Sequence, residues 1–105
     1  MRIVETSVFT KRLRTLVPEE DYRKLQNELI INPTKGKIIK GSGGLRKFRW
    51  SVPGKGKSGG VRVIYYLVSK EEIILMLLIY AKSEKDDLKR EQLNKLKSLI
   101  EKEFK

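Results

Sequence analysis

Apolar residues recur with helical spacing over two adjoining segments near the N-terminus. In residues 7–17 they fall at i, i+4 and i+7, and in residues 18–31 they fall at i, i+3 and i+7, so each set lies on one helical face. Proline disfavours α geometry in the residue before it, so Asn32 and Pro33 are expected to end the second helix. The pattern therefore predicts a helical hairpin.

The middle of the chain alternates with the two-residue period of a β-strand. Between Leu45 and Val52, the apolar side chains of Phe48 and Trp50 fall on one face, whereas Lys47 and Arg49 fall on the other. The segments expected to form strands are residues 2–6, 37–40, 45–52, 61–69 and 73–82. The last two are β-branched and aromatic, which indicates adjacent antiparallel strands at the centre of the sheet.

A last helix is predicted from Ser83 onward. The stretch from Ser83 to Asp86 resembles a capping box, and Leu93 and Ile100 then share one helical face. The element order is β-α-α-β-β-β-β-α. It predicts one domain over residues 1–105 of the α+β class, with an antiparallel sheet flanked by the N-terminal helical hairpin and the C-terminal helix.

Nearly all of the net charge of +11 lies in one central segment. Residues 29–70 contain ten basic residues and no Asp or Glu, whereas the rest of the chain is nearly neutral, with 14 basic and 13 acidic residues. A solvated basic face is the alternative explanation, but such a face usually mixes both signs of charge. The pattern therefore favours a binding site for a polyanion such as nucleic acid.

The chain contains no cysteine and no histidine. Disulfides and thiol catalysis are therefore excluded, and the usual ligands of zinc, haem and iron–sulfur clusters are absent. Metal-dependent hydrolysis would need clustered carboxylates, which the basic segment lacks. We therefore expect neither a metal nor another cofactor.

The sequence is expected to belong to a cytoplasmic protein. Its first residues lack the apolar core of a signal peptide, and its most apolar run, residues 73–81, is too short for a helix that crosses a bilayer, which needs about 20 residues. The basic segment is predicted to form strands and turns rather than an amphipathic helix, which disfavours a role on a membrane surface.

Several cations are expected to meet where the predicted strands 45–52 and 61–69 lie side by side. Arginine can grip a phosphate with two parallel N–H bonds, and lysine supplies a mobile point charge. The candidate cations are Lys47, Arg49 and Arg62 on these strands, Lys55 and Lys57 in the loop between them, and Lys82 at the end of the next strand. The glycines nearby do not form a P-loop, because no helix follows them.

The chemistry open to such a site is RNA cleavage driven mainly by electrostatics. The RNA 2′-hydroxyl is itself the nucleophile, and cations would stabilise the extra negative charge of the transition state. A lysine whose pKa is lowered by its cationic neighbours can exchange the protons. Tyr65, Tyr66 and Tyr80 are alternative proton donors or base-stacking surfaces, although a tyrosine in a strand more often serves packing.

The central motifs resemble those of the RelE-like toxins of bacterial toxin–antitoxin modules, and most closely the HigB-type branch. The resemblance rests on the run GGLRKFRW, on GKGKSGGVRVIYYLV and on ILMLLIYAKSEKDDL, and it extends over nearly the whole chain. It implies an antiparallel sheet flanked by helices. It also implies a ribonuclease that cuts mRNA on the ribosome and is neutralised by a cognate antitoxin, with DNA contacted only indirectly through the antitoxin complex.

The resemblance also implies roles for particular residues. Lys47, Arg49, Arg62 and Lys82 match family positions, and Lys55, Lys57 or Tyr80 could supply a group that the family has and this chain lacks. We expect Arg49, Arg62, Lys82 and Lys57 to be catalytic and Lys47, Lys55, Arg46 and Tyr80 to bind RNA. Two positions depart from the best-known members: a second arginine of theirs falls on Ser83, and their C-terminal catalytic tyrosine falls near Leu88. The group that transfers the proton therefore stays open at this point.

Two other functions are compatible with the sequence. A related branch of toxins binds DNA gyrase without nuclease residues, which the concentrated cations argue against. A non-catalytic RNA-binding or ribosome-associated module would use the same cations only to position phosphates, and its binding would weaken steeply with salt.

Overall fold

The computed structural model describes residues 1–52, 60–85 and 87–104. Its elements are β1 (Arg2–Glu5), α1 (Ser7–Leu16), α2 (Glu19–Ile31), β2 (Lys37–Ile38), β3 (Arg46–Ser51), β4 (Gly60–Val68), β5 (Ile73–Ala81) and α3 (Arg90–Phe104), with one turn of 3₁₀ helix between β4 and β5. The predicted α+β class and the predicted element order are confirmed. No helix within the described ranges is long and apolar enough to cross a membrane.

The five strands form one sheet in the order β1-β5-β4-β3-β2. The four strands from β2 to β5 pair antiparallel, as predicted, whereas β1 pairs parallel with β5. No tight turn connects β1 to β5 in the chain, so hairpin geometry does not impose an antiparallel orientation on this edge strand.

The N-terminal hairpin covers one face of the sheet, which we call the hairpin face. Phe9 of α1 and Leu25 and Leu29 of α2 are fully buried there against strand residues that include Phe48 and Val63. The Thr6 hydroxyl accepts a hydrogen bond from the backbone N–H of Phe9 at 3.1 Å and caps α1. The first turn of α2 carries the acidic residues Glu19, Glu20 and Asp21, which suit the positive end of a helix. The helix ends at Ile31, before Asn32, as predicted.

The last helix covers the opposite face, which we call the α3 face. Leu93 and Ile100 are buried there against Leu45, Ile64 and Tyr80. The sheet therefore separates two apolar clusters, and each of its central strands packs on both sides.

The predicted start of the last helix at Ser83 is wrong, because α3 begins at Arg90. The Glu84 carboxylate accepts hydrogen bonds from the backbone N–H of Ala81 at 3.1 Å and from Arg12, which holds this segment in a turn. The side chain of Gln92 instead accepts a hydrogen bond from the backbone N–H of Lys89 at the start of α3. Asp86, assigned to the predicted capping box, lies outside the described residues.

Tyr65 of β4 anchors the segment between α2 and β2 to the sheet. The Tyr65 hydroxyl donates a hydrogen bond to the Pro33 carbonyl at 2.7 Å and accepts one from the Gly36 N–H at 2.9 Å. A Cβ atom on Gly36 would lie 2.7 Å from a ring carbon of Tyr65 and 2.8 Å from its hydroxyl. Only glycine fits at this contact.

We expect Gly36→Ala to lower the free energy of unfolding by about 2 kcal/mol, because the added methyl group must push the buried Tyr65 ring aside. Urea denaturation measures the change. Gly60→Ala is the matched control, since a Cβ there would meet its nearest atom, the Trp50 carbonyl oxygen, at an ordinary 3.6 Å. Equal losses in the two variants would contradict the packing argument.

Candidate nucleic-acid interface

The register of the sheet brings the predicted strand cations together on the α3 face. Arg49 of β3 lies opposite Arg62 of β4, and Arg62 lies opposite Tyr80 of β5. Lys47 is two residues from Arg49 and therefore points to the same face, and Lys37 of β2 lies opposite Lys47. We call Lys37, Lys47, Arg49 and Arg62 the cationic cluster.

The local sequence accounts for this alternation. Phe48 and Val52 of β3 are buried on the hairpin face, and Trp50 packs against the same apolar cluster. A one-residue shift in register would exchange the two faces and expose these side chains, so their burial fixes which way Lys47 and Arg49 point.

A glycine-rich turn sets the start of β3. Gly41, Gly43 and Gly44 have positive φ angles of 73°, 75° and 110°, which side chains rarely tolerate. The Ser42 hydroxyl accepts a hydrogen bond from the backbone N–H of Leu45 at 3.0 Å and donates one to the Ile39 carbonyl at 2.5 Å. This turn, held by the hydrogen bonds of Ser42, leads directly into the cationic strand β3.

A cavity of about 330 Å³ opens between the cationic cluster and the start of α3. Its walls combine cations with apolar side chains and one carboxylate. The lining residues are Lys37, Ile38, Ile39, Lys47, Arg49, Ile64, Tyr80, Asp87, Leu88 and Leu93. The volume lies within the range of small-ligand sites, and the arrangement suits an anion with an apolar part, such as a nucleotide.

Arg62 occupies a deeper position than its neighbours. It is only 6% exposed and is not among the residues that line the cavity. One of its terminal nitrogens donates a hydrogen bond to the Val61 carbonyl at 3.4 Å. Because its surroundings have a lower dielectric constant than water, the charge of Arg62 acts on the cavity more strongly than an exposed charge would.

Asp87 is part of this site, although the sequence analysis did not single it out. Its carboxylate accepts a hydrogen bond from the Lys47 ammonium, and the two groups form an ion pair. The Lys47 side chain is 17% exposed and that of Asp87 is 73% exposed, so the pair closes the cluster on its solvent side. The Lys47 hydrogen bond, aided by the charges of Arg49 and Arg62, holds the pKa of Asp87 below its usual value.

The tyrosines mostly serve packing, as the sequence analysis favoured. Tyr80 is 1% exposed and contributes to the cavity wall, and the Lys85 ammonium lies 5.5 Å from the centre of its ring. Tyr65 faces the hairpin side, where burial raises the pKa of its phenol, so it is remote from the cationic cluster. Tyr66 is partly buried against the apolar cluster under α3.

Arg46 is not brought to the cationic cluster. It is the residue between Leu45 and Lys47 and points to the hairpin face, where its guanidinium donates hydrogen bonds to the carbonyls of Gly36 at 2.7 Å and Thr34 at 3.2 Å. These contacts assign Arg46 to the connection between α2 and β2.

Lys82 lies just beyond β5, at one end of the row formed by Arg49, Arg62 and Tyr80. Its backbone N–H donates a hydrogen bond to the Gly60 carbonyl at 2.9 Å, and its side chain is exposed. Lys55 and Lys57, the predicted loop cations, lie outside the described residues.

An ion pair from the other side of the sheet holds the turn that carries Lys82. Arg12 of α1 donates to the Ile79 carbonyl at 2.9 Å and to the Glu84 carboxylate at 2.5 Å. The Arg12 hydrogen bond, together with that from the Ala81 N–H, lowers the pKa of Glu84. The end of β5 is thereby tied to the helical hairpin.

Comparison with known proteins identifies the family. The sequence model described as the RelE toxin of the RelE/RelB toxin–antitoxin system matches residues 1–105.

Two solved structures share the fold. One is a double arginine-to-alanine mutant of the E. coli toxin RelE in the free state, with a TM-score of 0.57 and 12% sequence identity over 80% of this chain and 85% of that chain. The other is the intact E. coli RelBE toxin–antitoxin complex, with a TM-score of 0.57 and 16% identity over 75% of this chain and 93% of the matched chain. The resemblance to the HigB-type branch stays a prediction. The match of the family model over the entire sequence shows that the chain belongs to the RelE toxin family.

Proposed function

We propose that this member of the RelE toxin family is a metal-independent endoribonuclease that cleaves mRNA on the ribosome. The observation that carries the proposal is the register that sets Arg49 opposite the buried Arg62, with Arg49 and Lys47 in the wall of a nucleotide-sized cavity. Like-charged neighbours across strands destabilise a sheet, so a cluster of this kind suggests that a polyanion is its intended partner.

The proposed reaction begins with attack of the 2′-oxygen of one nucleotide on the adjacent phosphorus. The bond from phosphorus to the 5′-oxygen of the next nucleotide breaks, which leaves a 2′,3′-cyclic phosphate and a 5′-hydroxyl group. The 2′-hydroxyl loses a proton and the leaving oxygen gains one. Arg49 and Lys47 line the cavity and would donate hydrogen bonds to the phosphate oxygens as their negative charge increases.

Arg62 would assist from beneath the cavity. A buried guanidinium is already desolvated, so it needs no reorganisation when negative charge develops above it. Its charge would also favour the ionised form of any group that gives up a proton in the cavity.

Lysines are the proposed proton-transfer groups. The candidates are Lys82, which matches a family position, and Lys57, which could substitute for the family's missing catalytic tyrosine. Asp87 is the carboxylate at the cavity wall, but Lys47 lowers its pKa. A general base works best when its pKa is near the working pH, so Asp87 is better suited to balance charge than to accept the 2′-hydroxyl proton.

The proposed partners follow from family membership. mRNA in the decoding site of the ribosome would be the substrate, and the protein would then act in the cytoplasm. One of the solved structures that share this fold is the intact E. coli RelBE toxin–antitoxin complex, and we propose a cognate antitoxin here as well. DNA would be contacted only through that antitoxin.

Tightly controlled expression in bacteria, with mapping of transcript ends in translated and untranslated messages, tests the proposal. The wild type is expected to arrest growth and to cut inside codons of translated messages. Arg49→Ala is expected to lower the cleavage rate about 100-fold, because it removes a donor to the transition state. Arg62→Lys keeps the positive charge at the buried position, so its cleavage rate is expected to fall much less than that of Arg49→Ala.

Arg14→Ala is the matched control, since Arg14 is an exposed arginine on α1, remote from the cavity. Unchanged toxicity in Arg49→Ala combined with Arg62→Lys would rule out the proposed nuclease. If mRNA on ribosomes that carry the protein stayed intact, the non-catalytic RNA-binding module would be favoured. If the protein inhibited DNA supercoiling by purified gyrase, the gyrase-directed alternative would be favoured.

Asp87→Asn is expected to strengthen RNA binding about threefold to tenfold at low salt, because the substrate phosphate no longer competes with a carboxylate for Lys47. The lowered pKa keeps Asp87 ionised throughout the neutral range, so the gain should be constant between about pH 6 and 8 and vanish only in strong acid. Fluorescence anisotropy with labelled single-stranded RNA measures the affinity.

Glu91→Gln, which makes the same charge change in the first turn of α3, is the control for general electrostatics. If Asp87→Asn bound RNA no more tightly than Glu91→Gln, the carboxylate would not compete with the phosphate for Lys47.

A further inference from the structure

A second cavity adjoins the candidate site at the edge of β3 that faces away from β4. It has a volume of about 230 Å³ and is lined by Lys35, Lys37, Lys47, Phe48 and Arg49. Three of these cations, Lys37, Lys47 and Arg49, also line the first cavity. The two spaces therefore share a cationic wall.

The short length of β2 creates this second space. β2 consists of Lys37 and Ile38, which pair with Lys47 and Arg46. Beyond Lys47, no strand in the described part of the chain pairs with the outer edge of β3. The second cavity therefore lies at the unpaired outer edge of β3 and meets the first cavity at Lys37, Lys47 and Arg49.

Lys37 lies at the junction of the two cavities. Its side chain is exposed, and within the described residues no hydrogen bond or ion pair joins its ammonium to another group. The cross-strand pairing with Lys47 sets two cations side by side, about 5 Å apart at their Cβ atoms. Such a pair is unfavourable on its own and is relieved by an anion between the two groups.

Lys35 adds a further cation at the outer end. Its ammonium lies 5.7 Å from the centre of the Phe48 ring and 3.4 Å from the Glu28 carboxylate. Both partners of the Glu28 ion pair are 45% exposed, so the pair contributes little and a phosphate can replace the carboxylate.

We propose that Lys35 and Lys37 form a second phosphate subsite, which binds the phosphate adjacent to the scissile one in a single-stranded RNA. This inference rests on the proposed function, because the first cavity defines where the scissile phosphate lies. The RNA backbone would cross β3 from the first cavity to the second, and Lys37 would contact it between the two. The sequence analysis counted both lysines in the basic segment but assigned neither to the site.

The test uses ribosomes programmed with an mRNA that carries a 2′-deoxynucleotide at the mapped cut site, so that the toxin binds without cleaving. Lys35→Ala combined with Lys37→Ala is expected to weaken binding roughly tenfold. The slope of log affinity against log salt concentration should become shallower by about 0.7 for each phosphate that the variant no longer neutralises. Lys11→Ala combined with Lys24→Ala removes the same charge from exposed positions on α1 and α2 and is the matched control.

Neutral methylphosphonate groups then identify the phosphate. Each phosphate that flanks the cut site is replaced in turn, and affinity is measured for the wild type and for the double variant. One flanking replacement should weaken binding by the wild type roughly fivefold. The same replacement should not change the affinity of the Lys35 and Lys37 double variant, because the lysine substitutions have already removed the interaction with that phosphate.

The outcomes separate this subsite from the nuclease itself. If Arg49→Ala abolishes cleavage but the two lysine double variants bind alike, the subsite is absent and the proposed function stands. If the loss of binding free energy from the lysine substitutions simply adds to the loss from every flanking methylphosphonate, the lysines attract the RNA only by their general charge. The subsite is then excluded as well. If no cut site can be mapped in translated messages, the proposed function fails first.

Discussion

The hydrogen-bonded register between β3 and β4 is the constraint on which the rest of this structure depends. It sets Arg49 directly opposite Arg62 and keeps Lys47 on the same face, although three like charges repel one another. The backbone ladder and the buried side chains on the hairpin face supply the free energy that holds them there. The Lys47–Asp87 ion pair reduces the repulsion from the solvent side. The cluster thus brings like charges together, and an anionic ligand would relieve their repulsion.

The two faces of the sheet have different tasks. The hairpin face is packed by α1 and α2 around Phe9, Leu25 and Leu29, which have no exposed surface. The α3 face carries the smaller apolar cluster and also opens into the cationic cavity, and Ile64, Tyr80 and Leu93 belong to both. The larger apolar cluster on the hairpin face lies apart from the cations of this cavity wall.

The family match and the residues of the site are two separate grounds for the proposed function. The match to the RelE toxin family covers the whole sequence, yet the solved structures it resembles share only 12% and 16% of their residues with it. The site must therefore be understood from its own residues. Here it combines arginine and lysine with no histidine in the chain, which suits a reaction in which RNA supplies the nucleophile and the protein supplies charge.

The linear pattern by itself determined the α+β class, the order of the elements and the face on which Lys47 and Arg49 lie. These properties follow from periodicity within single segments, where neighbours along the chain are also neighbours in space. The acid-free segment likewise pointed to the polyanion site, because most of its candidate cations lie on two adjoining strands.

Only the tertiary structure decided which distant groups meet. It directed Arg46 to the carbonyls of Gly36 and Thr34, buried Arg62 and brought Asp87 to Lys47. It also decided that β1 pairs parallel with β5 and that the last helix begins at Arg90 rather than at Ser83. Contacts between segments far apart in the chain depend on how α3 and the sheet pack together, and this packing leaves no periodic trace in the sequence.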